Sequence, residues 1–231
     1  MEQLARSAAI LLMGGAGARM GGSYPDKTLA PIAGKPVFMY PLLAIDGSKI
    51  FSEIVVVTRD DWQRGKVLQL LDGLTLRANI SCIRGGDSRQ KSALNALLHM
   101  QSSGPDFVLI HDAARPLLPA NSLPLLLSAL VDHDGAILAH RATDTLLHVS
   151  PRGRKYLRRD GVWHVETPQM FKYGAILNAY LEAKRPLSDD SSALPGSAKV
   201  KIIENFHPNI KITYPGDIAA VEALLNKGSG R

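Results

Sequence analysis

The stretch Gly14–Lys27, GGAGARMGGSYPDK, combines bare backbone with fixed positive charge: Gly14, Gly15, Ala16 and Gly17 leave their N–H groups unshielded, and Arg19 and Lys27 follow. A turn of this kind between a strand and a helix presents amides to a phosphate. The alternative is a tight strand-to-helix connection, a common use of glycine. Two dedicated phosphate patterns are excluded. G-x-G-x-x-G fails because Met20 stands where the third glycine belongs, and G-x-x-x-x-G-K-[ST] fails because Gly22 is followed by Ser23. The two cations favour a nucleoside triphosphate, which gathers charge when its α-phosphorus is attacked. Pro25, Pro31 and Pro36 stiffen the next segment into one able to close over such a ligand.

A second chemical signal is HDAARP at His111–Pro116. It follows the apolar run Phe107–His111, so Asp112 falls at the carboxyl end of a buried strand, where open α/β sheets place ligands. A carboxylate there suits Mg²⁺ bridging triphosphate oxygens; its other reading is a helix cap. For Arg115 the other reading is a surface ion pair. His111 and His164 lack further ligands at metal spacing, so both read as structural. The one cysteine, Cys82, excludes an internal disulfide and reads as a small buried apolar residue.

Short runs rich in Val and Ile must position these groups. Ala8–Met13, Ile54–Thr58, Ile80–Ile83, Phe107–His111 and Gly135–Ala139 predict strands. Pro36–Ile45, Trp62–Leu71, Ser88–Met100 and Ser122–Val131 predict helices between them, the third capped by Asp87 or Ser88 and the fourth by Asn121 or Ser122. The alternation predicts an α/β domain, Rossmann-like, with a mostly parallel twisted sheet. After Ala139, turn signals at Ser150–Gly153 and Arg159–Gly161 predict a β-hairpin arm over about 141–162. A helix at Tyr173–Ala183, strands at Val200–Glu204 and Lys211–Tyr214, and a helix from Pro215 follow. That last helix turns Ile218, Val221, Leu224 and Leu225 inward, and 226–231 are expected to fray.

The 231 residues, 45% hydrophobic, suffice for one large domain. A net charge of +6 suits anionic partners. The basic residues are scattered apart from Arg152–Arg159, and aromatics at 6% offer little for base stacking, so small phosphorylated substrates are expected and nucleic acid is not. No apolar run approaches the roughly 20 residues of a membrane span, so no membrane partner and a cytoplasmic location are expected.

Several motifs in order then carry a resemblance over about residues 9–225: GGAGARMG, GKPV, GGDSRQKSALNAL, HDAARP, DT at Asp144-Thr145, VWHVETPQMF, SDDSSAL and NIKITYPGDI. The set resembles the cytidylyltransferases acting on sugar-alcohol phosphates, most closely those using methylerythritol phosphate. The resemblance implies a nucleotide-binding α/β fold, a homodimer formed through the β-arm, and CTP, a sugar-alcohol phosphate and Mg²⁺ as partners. It implies triphosphate contacts at Gly14, Gly15, Ala16 and Gly17, and cytosine, ribose or nearby nucleotide contacts at Gly86, Asp87, Ser92 and Ala113. Ser92 could instead line a helix turn, and Arg89 and Asn95 would support that loop.

It also implies catalytic roles for Arg19, Lys27 and Lys211, metal binding by Asp112, and acceptor-phosphate contacts from Arg115, Thr145 and Arg159, the last two from the neighbouring subunit. Asp217 reads better as a helix-start acid. Asp189 and Asp190 could mimic an acid–base pair, but an ionised phosphate nucleophile needs no base, so they read as a loop near the acceptor or a helix start. Two departures stand out. Asp26 occupies the place of the family lysine, with Lys27 one step later, and Arg141 replaces a proline at the base of the arm. Ribitol phosphate is the rival acceptor, and a non-catalytic nucleotide-binding regulator is the rival of another class.

Overall fold

A computed structural model describes residues 5–14 and 25–228, and Gly228 only in its backbone. The elements in order are β1 (Ser7–Leu12), β2 (Pro31–Ile32), β3 (Lys35–Pro36), α1 (Met39–Gly47), β4 (Glu53–Thr58) and α2 (Asp61–Leu71). Then come β5 (Asn79–Arg84), α3 (Arg89–His99), β6 (Phe107–Asp112), α4 (Ser122–Ala129), β7 (Gly135–Arg141), β8 (Leu146–Ser150) and β9 (Gly153–Leu157). The chain ends with β10 (Trp163–Lys172), α5 (Tyr173–Glu182), β11 (Val200–Glu204) and α6 (Pro215–Gly228).

Among the described residues, seven strands form one sheet in the order β11-β7-β10-β6-β1-β4-β5. All neighbours are parallel except β10, which runs antiparallel to both β6 and β7. Strand β1 is SAAILL, buried throughout, as a strand covered on both faces must be. Its alternate residues divide between two cores, as a period of two requires. Ala9 and Leu11 join the cluster under α1, α2 and α4; Ala8, Ile10 and Leu12 join the one under α3 and α5. A third, smaller core of Ala30, Ile32, Val37, Ile212 and Val221 packs α6 against the β2–β3 ribbon and the segment before α6.

The chain runs outward from β1 through β4 to β5 and returns on the other side as β6, which makes the β1–β6 boundary a switch point. Leu12 pairs with Asp112 at its carboxyl end. The described residues contain no helix long and apolar enough to cross a membrane.

Several boundaries differ from the sequence expectation. Helix α1 starts at Met39, not Pro36, because Val37 and Phe38 donate their N–H groups to the carbonyls of Ala30 and Thr28. Ser88 caps α3 by accepting from the Lys91 N–H, but neither Asn121 nor Ser122 caps α4; the Ser122 hydroxyl donates to the Pro119 carbonyl instead. No strand forms at 211–214. The Thr213 and Tyr214 N–H groups are taken by the Asp217 carboxylate, at 2.7 and 2.8 Å, and the Ile212 N–H by the Ala114 carbonyl at 2.8 Å. Asp217 therefore does start α6, whose turns continue to Gly228, and residues 229–231 of the tail expected to fray lie outside the described residues. The return of the arm is itself the central strand β10, with a register shift between Val165 and Gln169. The arm is β8 paired with β9, and Arg141 at its base lies over the Trp163 ring, 4.5 Å from the centroid, and pairs with Glu204.

Candidate active site

Strand β6 delivers Asp112 into the crevice at the switch point, where its N–H donates to the Thr167 hydroxyl at 3.1 Å. Its two carboxylate oxygens divide two cations between them. Arg89 Nε donates to Oδ1 at 3.0 Å and Lys211 Nζ to Oδ2 at 2.7 Å. Burial opposes the charged form of Asp112, but Arg89 and Lys211 outweigh it and hold the carboxyl well below the usual range. Lys211 comes from a segment almost a hundred residues downstream, fastened beside HDAARP by the Ile212-to-Ala114 hydrogen bond.

Arg89 opens α3, and its guanidinium donates through both Nη atoms to Asp190, at 2.8 and 2.7 Å. Burial disfavours the Arg89 cation, yet Asp112 and Asp190 raise its pKa above the ordinary arginine value. Asp190 is fully buried and also accepts from the Tyr180 hydroxyl. Asp189 accepts from Gln169 Nε2 at 2.6 Å and from the Ser191 hydroxyl at 3.0 Å, which secures the 3-10 turn Ser191–Ala193. The sequence motif SDDSSAL thus supplies no acid–base pair: Asp189 starts the short 3-10 turn, accepting from the Ser192 N–H at 2.9 Å, and Asp190 supports Arg89.

A cavity of about 470 Å³ opens in front of this cluster, walled by Leu12, Gly14, Arg59, Arg84, the loop Gly85–Arg89 and Ser92. Three arginines on one wall suit a polyanion. The loop is held by Ser92, whose hydroxyl donates to the Ser88 carbonyl at 2.8 Å and accepts from the Gly86 N–H at 3.1 Å. A side chain at Gly85 would meet that hydroxyl at 2.5 Å, and one at Gly86 would meet Lys91 Cβ at 2.4 Å. Ser92 therefore shapes the loop, and Asp87 lies exposed and paired with Lys91 at 2.7 Å. Arg59 and Arg84 had no motif to mark them; their place follows from the carboxyl ends of β4 and β5. Asn95 is exposed on α3 away from the loop's hydrogen bonds.

Lys27 Nζ donates to the Ile212 carbonyl at 2.8 Å, which brings it beside Lys211. Asp26, one step earlier, faces the interior. Its carboxylate accepts from the Thr28 N–H and hydroxyl, at 2.8 and 2.6 Å, and from Gln63 Nε2 at 2.6 Å, with Arg59 at 3.4 Å. The acid that displaces the family lysine is a buried tie, and the lysine after it reaches the backbone next to Lys211. Gly15, Ala16, Gly17 and Arg19 lie outside the described residues.

A second cavity, of about 520 Å³, is walled by Arg115, His140, Glu166 and residues 205–211, the last of which is Lys211, the partner of Asp112. Arg115 Nη1 donates to the Asn209 carbonyl at 2.7 Å and stands 4.0 Å from Glu166, while its buried Nε has no partner among the described residues. Burial lowers the Arg115 pKa against the pull of Asp112 and Glu166. His111 is wholly buried and structural, as its sequence context suggested. Burial pushes its pKa down to about 4, and Nε2 meets the Arg115 carbonyl at 3.1 Å. His164 stacks on His140 with centroids 4.9 Å apart. Ala113 is buried, its N–H donating to the Leu12 carbonyl at 2.9 Å. Thr145 and Arg159 are exposed on the arm and line neither cavity.

Among the described residues no group of three His, Cys, Asp or Glu side chains could hold a metal alone. Asp112 nonetheless fits Mg²⁺ of the kind bound mainly by substrate phosphates and water. It is ionised, and a carboxylate offers about four lone-pair sites, of which Arg89 and Lys211 occupy two.

A mostly parallel sheet, a ligand crevice at its switch point and a carboxylate ringed by cations define a nucleotidyltransferase-like α/β protein. A family model described as IspD, 2-C-methyl-D-erythritol 4-phosphate cytidylyltransferase, matches residues 7–227. The chain belongs to this family. It is 36% identical to the enzyme of that name from Cereibacter sphaeroides over 228 residues, covering 97% of this chain and 99% of the relative. It is 35% identical to the one from Aquifex aeolicus, covering 94% of this chain and 96% of the relative. The crystal structure of 4-diphosphocytidyl-2C-methyl-D-erythritol synthase from Anaerococcus prevotii superposes with a TM-score of 0.82 at 25% identity, over 96% of this chain and 99% of that one.

Proposed function

We propose that the chain transfers the cytidylyl group of CTP to 2-C-methyl-D-erythritol 4-phosphate, giving 4-diphosphocytidyl-2-C-methyl-D-erythritol and pyrophosphate, a step in isoprenoid precursor synthesis. The observation that carries the site assignment is that Asp112 is tied to two cavities through its partners, Arg89 on the wall of one and Lys211 on the wall of the other. One cavity takes the nucleotide against Gly14 and the Gly85–Ser92 loop. The other takes the acceptor, its phosphate on Arg115.

An oxygen of the acceptor phosphate attacks the α-phosphorus in line; the new P–O bond forms as the bond to the β-phosphate breaks, and pyrophosphate leaves. The acceptor oxygen is already ionised, so no proton need be removed. Catalysis rests on positioning and charge stabilisation. Lys211 and Lys27, converging on the Ile212 segment, neutralise the crowded phosphorus, and Arg19 joins them from the glycine loop. Gly15, Ala16 and Gly17 give their amides to the triphosphate; Gly86, Asp87, Ser92 and Ala113 frame the nucleoside. Asp112 would hold Mg²⁺, which supplies further neutralisation of triphosphate charge.

Thr145 and Arg159, exposed on the arm, complete the acceptor site of a second copy in a homodimer. Pyrophosphate release from CTP, measured with methylerythritol phosphate, ribitol 5-phosphate and no acceptor, tests the assignment. Release with methylerythritol phosphate alone is expected. Release with ribitol phosphate alone would reassign the acceptor, and none with either would point to a nucleotide-binding regulator.

A further inference from the structure

Asp190 is a carboxylate with no exposure, set in the interior at the cost of desolvation and touching neither cavity. It lies about a hundred residues from Arg89 in the chain, yet holds both ends of that guanidinium fork. Tyr180 on α5 donates to the same carboxylate from the other side. The result is a line of groups from α5 to the crevice: Tyr180, Asp190, Arg89, Asp112 and Lys211.

The fork matters because it sets the orientation of Arg89. A guanidinium grips a carboxylate at two points either through its two Nη atoms or through Nε and the adjacent Nη. The end-on fork with Asp190 takes one N–H from each Nη and fixes the plane of the guanidinium, and in that setting Arg89 meets Asp112 through Nε, at Oδ1 alone. Oδ2 stays with Lys211, and the remaining lone pairs of the carboxylate stay open. Charge acts in the same sense. Asp112 and Asp190 balance Arg89 and Lys211; without the Asp190 charge the cluster turns cationic and repels a further cation.

We propose that Asp190 is a positioning residue, buttressed by Tyr180, which keeps Arg89 to one-point contact and so leaves Asp112 able to take a divalent cation with the triphosphate. This rests on the assignment of Asp112 as the cation-holding carboxylate.

Calorimetric binding of CTP, in Mg²⁺ and in EDTA, tests it without relying on turnover. In Asp190→Asn the Mg²⁺-dependent gain in CTP affinity is expected to shrink about 10-fold or more, the usual cost of losing a group that orients a metal ligand. Affinity in EDTA should not fall, since Asp190 lines neither cavity and its lost charge leaves Arg89, on the nucleotide wall, more cationic toward the triphosphate. Tyr180→Phe, which removes one hydroxyl from a buried site and keeps the ring, should shift the same ratio in the same direction by a smaller factor. A purely structural role would lower the melting temperature of both variants and leave the ratio as in wild type, and that result overturns the proposal. Should Asp190→Asn fail to fold, the Tyr180→Phe ratio decides alone. A wild type whose CTP affinity is equal in Mg²⁺ and EDTA also overturns it. A wild type that shows the ratio and its loss in the variants, but releases no pyrophosphate with any acceptor, supports this inference while refuting the proposed reaction.

Discussion

Asp26→Ala tests whether the acid in the displaced lysine's place holds the crevice wall together. In the native chain its carboxylate accepts from the Thr28 N–H and hydroxyl and from Gln63 Nε2, all at 2.8 Å or less. Truncation strands the buried Thr28 N–H, at about 1–3 kcal/mol, and removes a charge-assisted bond from Gln63, at about 1.5 kcal/mol. Gln63 Nε2 keeps weaker contacts to the Thr28 hydroxyl at 3.2 Å and the Met13 carbonyl at 3.4 Å, so it is not fully orphaned. Arg59, a third exposed and at 3.4 Å, adds nothing that solvent does not screen. The sum is about 3 kcal/mol, which in a domain of this size lowers Tm by about 6–12 °C. Thermal unfolding followed by circular dichroism, with a urea titration to check that m is unchanged, measures it. Asp26→Asn keeps an acceptor for Thr28 but sets an amide donor against Gln63, and should cost about 1 kcal/mol. A Tm within about 2 °C of wild type for Asp26→Ala, with m preserved, would show that the buried tie contributes little and refute the reasoning.

Lys211→Ala removes the ammonium from Asp112 Oδ2, and should lower kcat for CTP about 10²–10³-fold, the range for losing one preorganised charge-stabilising donor; steady-state assays with saturating acceptor read it. Gly86→Ala drives a methyl to 2.4 Å from Lys91 Cβ, so the loop must move: the expected result is a raised KM for CTP and a stability loss of about 1–3 kcal/mol, read by kinetics and urea titration. Neutral His111 has a folded pKa of about 4 against about 6.5 unfolded, so the unfolded chain binds the proton first. The stability this group contributes is therefore complete above about pH 6.5 and lost as pH falls through 4, by about 3 kcal/mol at 1.36 kcal/mol per unit. Urea titrations of wild type and His111→Gln in metal-free buffer should show that slope only in wild type.

Much of the fold was legible because it is written in local pattern. Runs such as Ala8–Met13 and Ile54–Thr58 are apolar at nearly every position, which parallel strands buried on both faces require, and each is a strand within a residue or two. The hairpin arm announced itself through turn residues, and HDAARP placed Asp112 at a strand's carboxyl end because motif and strand adjoin in sequence. The glycines at 85 and 86 were marked as a loop, and the contacts a side chain would make there explain why.

Tertiary structure alone decided which distant groups meet. Lys211–Tyr214 has strand-like residues but no strand, because Asp217 and Ala114 satisfy its backbone outside the sheet. VWHVETPQMF carries a motif, yet only the gap between β6 and β7 makes it a central antiparallel strand. Asp190 reads as one of two loop acids until the fold sets it against Arg89, and Asp26 reads as a misplaced charge until Gln63 and Thr28 close around it. Sequence spacing encodes which residues share a helix face or a strand face. Pairings across a hundred residues depend on where the sheet brings its carboxyl ends together, and that is a property of the packed chain.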